Sequence, residues 1–155
     1  GDLDGWEVAF QTPFSFDPDS LMHNFGVVAN YTKVDSKVDY AAPGSDTPNY
    51  GPLVGLSEDS WNFTLYFENE TFNARISANH RSGYLIRFPD RGVEDSTYWD
   101  FSSAWNVNDS WQLTFEVINI TDEFFDQRHI ADDVARPYVY HHTGTNFFIG
   151  ARWKY

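Results

Sequence analysis

The sequence predicts an all-β fold, an antiparallel up-and-down meander of about seven strands that forms part of a transmembrane β-barrel. Three observations predict it. Apolar and polar residues alternate with a period of two through most of the chain. The largest aromatic rings stand at the ends of the alternating stretches. The connections between stretches are short and long in turn.

The alternating stretches lie near 5–14, 23–38, 60–69, 71–84, 97–106, 110–119 and 145–155. On one side they read Trp6, Val8, Phe10; Phe25, Val27, Ala29, Tyr31; Trp61, Phe63, Leu65, Phe67; Phe72, Ala74, Ile76, Ala78. The same side continues with Trp99, Phe101, Ser103, Trp105; Trp111, Leu113, Phe115, Val117; Phe147, Ile149, Ala151, Trp153, Tyr155. None of these is charged. The other side carries Glu7, Glu68, Arg75, Asp100, Glu116, Arg152 and Lys154 among Asn, Thr, Ser and Gly. Successive side chains of a strand point to opposite faces, so each stretch has one apolar and one polar face. A soluble β-sandwich alternates too, with its apolar face turned to a core. Periodicity alone leaves both architectures open.

Ring position separates them. Trp61 and Phe67, Trp99 and Trp105, and Phe147 and Trp153 open and close their stretches, while the middles are Leu, Ile, Val, Ala, Phe or Ser. Six residues of strand span about 20 Å, the scale of an apolar band between two aromatic girdles. Trp and Tyr suit such borders, because one part of the ring is apolar and the other is wet. The connections at 15–22, 69–71 and 106–110 are short, and those at 39–59, 85–97 and 120–144 are long. Tight periplasmic turns and extended outer loops produce this rhythm, with the first strand running toward the periplasm and the last ending there. On this reading Trp61, Phe63, Leu65, Trp111, Leu113, Phe115, Phe147 and Ile149 are all exposed in the protein alone. The rival is a soluble β-sandwich carbohydrate-binding module, which buries them.

Composition narrows function. The 155 residues carry a net charge of −13, which argues against a nucleic-acid partner. Aromatic residues make up 19% of the chain, too many for a disordered acidic segment. Cys is absent, which excludes disulfides, thiolate metal sites and Cys nucleophiles. No apolar run is long enough for a membrane-spanning helix. The chain begins at Gly1 with no leader, so it is expected to be one piece, residues 1–155, of a longer protein.

Several segments then match a known pattern in order. Gly5-Trp6-Glu7-Val8-Ala9-Phe10-Gln11 and Asn30-Tyr31-Thr32 with Asp35-Ser36 come first. Leu53-Val54-Gly55-Leu56-Ser57 follows with Asn62 and Tyr66, and then Asn119-Ile120-Thr121-Asp122-Glu123. Tyr140-His141-His142-Thr143-Gly144 leads into Arg152-Trp153-Lys154-Tyr155. Together, from Gly5 to Tyr155, they resemble the C-terminal part of the outer-membrane β-barrel of TonB-dependent receptors. The Tyr140–Gly144 and Ala78–Tyr84 segments look most like a subgroup linked to oligosaccharide uptake. The resemblance implies a bacterial outer-membrane location and contact with outer-membrane lipid. It implies an N-terminal plug and TonB box, neither of which is in these residues, through which the TonB complex acts. It also implies that Trp153 and Tyr155 form the signal read by the barrel-assembly machinery.

No catalytic set stands out. Nucleophile elbow, phosphate loop and zinc-protease motifs are all absent, so an enzyme is not expected. Glu7, Glu68, Asp100 and Glu116 are explained by a wet lumen. His141 and His142 are neighbours that point apart when extended, so no metal site is expected, nor any cofactor. Aromatic faces and charged hydrogen-bonding groups bind sugars. The long connections offer Arg91, Tyr98, Arg128, His129, Tyr138, Tyr140 and His142 for a small solute such as an oligosaccharide. The acidity of these connections suits a neutral or cationic ligand better than an anionic one. If the last residue is an assembly signal, Tyr155→Ala in the full-length protein should lower the amount assembled in the outer membrane more than Trp105→Ala. Equal losses, measured in membrane fractions, would leave Tyr155 an ordinary girdle residue.

Overall fold

The computed structural model describes residues 1–15, 20–131 and 134–154. Its strands are β1 (Asp2–Pro13), β2 (Phe25–Asp39), β3 (Tyr50–Gly51), β4 (Asp59–Glu68), β5 (Phe72–Arg81) and β6 (Tyr84–Arg87). They continue with β7 (Arg91–Val93), β8 (Ser96–Asn106), β9 (Trp111–Ile118), β10 (Phe125–Ala131), β11 (Val134–His141) and β12 (Asn146–Trp153). A short 3-10 turn, Leu21–Asn24, leads into β2. The main sheet runs β1-β2-β4-β5-β8-β9-β12, an antiparallel meander, with β3 paired to β2. Its seven long strands are the seven alternating stretches. The described residues form no closed barrel, and β1 and β12 are the two edges of the main sheet.

Register puts the apolar residues on one face. Cross-strand partners point the same way, and they run Val8–Tyr31–Trp61–His80–Thr97 in one row. A second row is Thr12–Val27–Leu65–Ile76–Phe101–Val117–Phe147. A third is Phe25–Phe67–Ala74–Ser103–Phe115–Ile149. A slip of one residue in any pair would turn a whole strand over, so the alternation and the register enforce each other. Aromatic rings gather at both borders. Trp6 lies 5.1 Å from Tyr31 at the border of the long connections. At the other, Phe67 lies 5.0 Å from Phe25 and 6.1 Å from Phe72, and Trp111 pairs with Trp153.

This face is not a core. Among the described residues the buried apolar side chains are Ala78, Val93 and Val117. Ile149 is 86% exposed and Phe147 67%. A compact monomer of 17.9 kDa exposes about 8,000 Å²; this chain exposes 10672 Å². Of the eight residues expected to be exposed, Trp111, Leu113, Phe115, Phe147 and Ile149 are. Trp61, Phe63 and Leu65 are half-buried. They sit in an interior strand with a paired strand on each side, and Trp61 stacks on His80 at 5.3 Å.

Asparagine closes the strand ends. Asn69 Oδ1 accepts from the Thr71 and Phe72 N–H groups (2.9 and 2.7 Å). Asn108 Oδ1 accepts from Ser110 and Trp111 in the same way (3.0 and 2.9 Å). These are side-chain turns of the kind Asn favours. Asn119 is buried, at φ +58°. Its N–H donates to Asp100 Oδ1 at 2.9 Å. Its amide exchanges two bonds with the Glu123 backbone, at 2.8 and 3.0 Å. Its carbonyl accepts from Thr145 Oγ1 at 2.9 Å. One residue therefore joins β8, the end of β9 and the approach to β12. Asn119→Ala should cost about 2–4 kcal/mol, combining lost buried hydrogen bonds with an Ala forced to positive φ. Asn119→Gly, which tolerates that φ, should lose less. Urea unfolding, followed by tryptophan fluorescence, would measure both.

Candidate functional site

The long connections are not irregular loops. The connection between β5 and β8 folds into the β6–β7 hairpin, and the one between β9 and β12 into the β10–β11 hairpin. β7 and β10 pair antiparallel, giving a second sheet in the order β11-β10-β7-β6. The first long connection leans on it: Gly55 N–H donates to the Leu85 carbonyl at 2.7 Å, and Tyr40 stacks on Phe88 at 4.2 Å. Phe88, Pro89 and Asp90 form the turn between β6 and β7. Val134–His141, part of a connection in the sequence reading, is a strand with Pro137 in its middle. Pro137 is tolerated because β11 is an edge.

The seven candidate ligand residues fall into separate places. Arg91 and His129 are cross-strand partners and share one face of the small sheet. The Arg91 guanidinium lies 4.2 Å over the Tyr138 ring, and Tyr138 is the extra residue of a bulge in β11. Arg128 is on the opposite face, where Nη1 donates to Glu94 Oε1 at 2.6 Å. Tyr140 pairs with Asp126 on that face, its ring 5.1 Å from Phe124. His142 lies at the base, its ring 4.5 Å from Phe124 and its Nε2 2.6 Å from Asp122 Oδ1. Tyr98 is on the main sheet, opposite Asn79 on the polar face. Phe124, the ring that joins Tyr140 to His142, was missed; the only signal was its place beside the Asp122-Glu123 turn.

The polar face of the main sheet is hydrogen-bonded across strands. Asn79 donates to Asn62, and Asn62 Nδ2 donates to Asn30 Oδ1 at 2.9 Å. Thr64 and Ser77 hydroxyls lie 3.0 Å apart. At the loop end, Ser36 Oγ accepts from the Leu53 N–H at 2.9 Å. Arg81 donates to Ser57 Oγ and to the Gly55 carbonyl, each at 2.7 Å; Gly55 sits at φ +85°. The segments singled out in the sequence thus hydrogen-bond to neighbouring connections and strands. Asp100, one of the four carboxylates considered for catalysis, is held by Asn119. Among the described residues no group of three or more His, Asp or Glu is placed to hold a metal ion. Trp153 is on the apolar face, opposite Trp111, and 59% exposed; Tyr155 lies outside the described residues. Comparison with family models, curated proteins and solved structures gives no match.

Asp90 carries a pH prediction. Its carboxylate receives Arg87 Nε at 2.8 Å and lies 3.4 Å from His129 Nδ1. The Arg87 guanidinium holds the carboxyl below the usual carboxylate range. A carboxyl lowered in the folded state stabilises at any pH above its unfolded pKa of about 4, and the contribution fades as pH falls through the lowered value. Amide exchange of the β6–β7 hairpin should therefore speed up at low pH relative to the main sheet, and Asp90→Asn should remove that difference.

Proposed function

We propose that this chain is the C-terminal barrel segment of a TonB-dependent outer-membrane receptor that takes up a scarce solute. One observation carries the reading: seven strands in register present an apolar face, free of Lys, Arg, Asp and Glu from the Val8–Tyr31–Trp61 row to the far border and flanked by aromatic rings at both ends, that the described chain leaves largely exposed or half-buried. Lipid tails are the partner that such a band fits. A soluble module would cover these side chains with its own second sheet.

Further support comes from the opposite face and the ends. The polar face is lined by the asparagine ladder and the Thr64–Ser77 pair, groups suited to a wet lumen. Single-chain barrels have at least about eight strands; the two open edges call for strands supplied by the rest of the protein. On this reading the small sheet lies outside the cell at the mouth, and Arg91, Tyr98, Arg128, His129, Tyr138, Tyr140 and His142 are the candidates for contact with a solute such as an oligosaccharide. Coupling to the TonB complex belongs to the N-terminal part, and recognition by the barrel-assembly machinery to the last strand.

Cysteine accessibility gives a direct test, since these 155 residues contain no Cys and any elsewhere in the protein can be replaced by Ser. In the full-length protein in its own cells, a single Cys at Tyr138 should react with a membrane-impermeant maleimide on intact cells. A Cys at Asn108, in a short turn at the other end, should react only after permeabilisation. Recovery of the protein in the soluble fraction, or equal labelling of both positions on intact cells, would overturn the reading.

A further inference from the structure

One row of the small sheet opposes the charge of the whole chain. Register sets Arg87 opposite Arg91, Arg91 opposite His129, and His129 opposite Arg136. The four residues therefore cross all four strands on one face. They do so in a chain of net charge −13. Arg87 and Arg91 are like charges directly opposite one another, which destabilises a sheet unless something compensates. Compensation here is partial. Asp90 engages Arg87 and lies near His129, and the Tyr138 ring lies under the Arg91 guanidinium. Among the described residues, no carboxylate is within ion-pair distance of Arg91 or Arg136. Arg91 Nε is buried with no hydrogen-bond partner, and a buried polar group left unpaired is costly.

We propose that this row is an oxyanion-binding site, taking a ligand that carries carboxylate, sulfate or phosphate groups. A guanidinium presents its donors in a rigid fork that matches such groups two bonds at a time. Tyr138 fixes the plane of the Arg91 fork, while Arg136, exposed on the edge strand, closes on the ligand from outside. Total acidity favoured a neutral or cationic ligand, but exposed charges more than about 10 Å apart are largely screened, so the local row decides. The inference deepens the receptor reading, on which it rests only for placing the small sheet at the outer mouth. It narrows the solute to an anionic one, such as a uronate-containing oligosaccharide or a phosphorylated compound.

The test is titration of the full-length protein in nonionic micelles with trigalacturonate, with inorganic phosphate and with neutral cellotriose. Calorimetry gives affinity, and arginine Nε resonances report contact. An anion should bind saturably and shift the Arg91 and Arg136 resonances in the wild type. Arg91→Ala and Arg136→Ala should each weaken it about tenfold, the loss of one charge-assisted contact. Lys154→Ala, which removes the same charge at the far end of the sheet, should leave affinity unchanged. Tighter binding of trigalacturonate points to an acidic oligosaccharide, and tighter binding of phosphate to a phosphorylated ligand. The proposal is overturned if neither anion binds, if the arginine variants bind like the wild type, if Lys154→Ala is equally damaging, or if cellotriose alone binds. Arg136 projects from an exposed edge, so its removal leaves the fold intact as a control on Arg91. Anion binding by a protein that fails the labelling test would reject the receptor reading and spare the site.

Discussion

Everything in this molecule hangs on cross-strand register. Seven strands keep side chains in phase over the full width of the sheet, so that apolar residues spread over nearly the whole sequence land on one surface. The backbone pairs regardless of residue type; the phase is set by which side chains must share a face. With few side chains buried, stability rests on ladder hydrogen bonds, aromatic neighbours and polar clamps. The proposed lipid partner would supply the burial that a core supplies in a compact domain.

Asparagine does unusual work in such a sheet. Asn69 and Asn108 shape turns at one end. Asn119 adopts the left-handed conformation at the other and saturates its amide with backbone partners. Asn30, Asn62 and Asn79 link three strands through their side chains. Asn serves all three purposes because it both donates and accepts, and because it tolerates positive φ better than most residues. Each of these positions except Asn79 opens an Asn-x-Ser/Thr triplet, whose recurrence here has a conformational explanation.

The main sheet was legible because period two is a strong signal over eight or more residues. The face assignment from Trp6 to Trp153 agrees with the observed register at every strand. The small sheet was hidden for physical reasons. β6 and β7 are four and three residues long, too short for a period to register. Pro137 interrupts β11, and the pairing of β7 with β10 joins residues far apart in sequence. The candidate site was legible in its residue types but not its grouping. Arg91, His129 and Tyr138 assemble on one face, while Arg128 and Tyr140 take the other, an outcome that depends on the bulges at Ile86 and Tyr138. The opposition of Arg87 to Arg91 could not be seen without that register.

The pairing of β7 with β10 also bears on the order of folding. β1–β2, β4–β5 and β8–β9 are hairpins of sequence neighbours, and each can zip from its own turn. β7 and β10 lie on either side of the β8–β9 hairpin, so they meet only after that hairpin has formed and brought its flanks together. Contacts between distant segments carry a larger loop-closure entropy until nearer ones shorten the path. The wall can thus be completed one hairpin at a time, with the cap over its end knitting together last from two separate excursions of the chain.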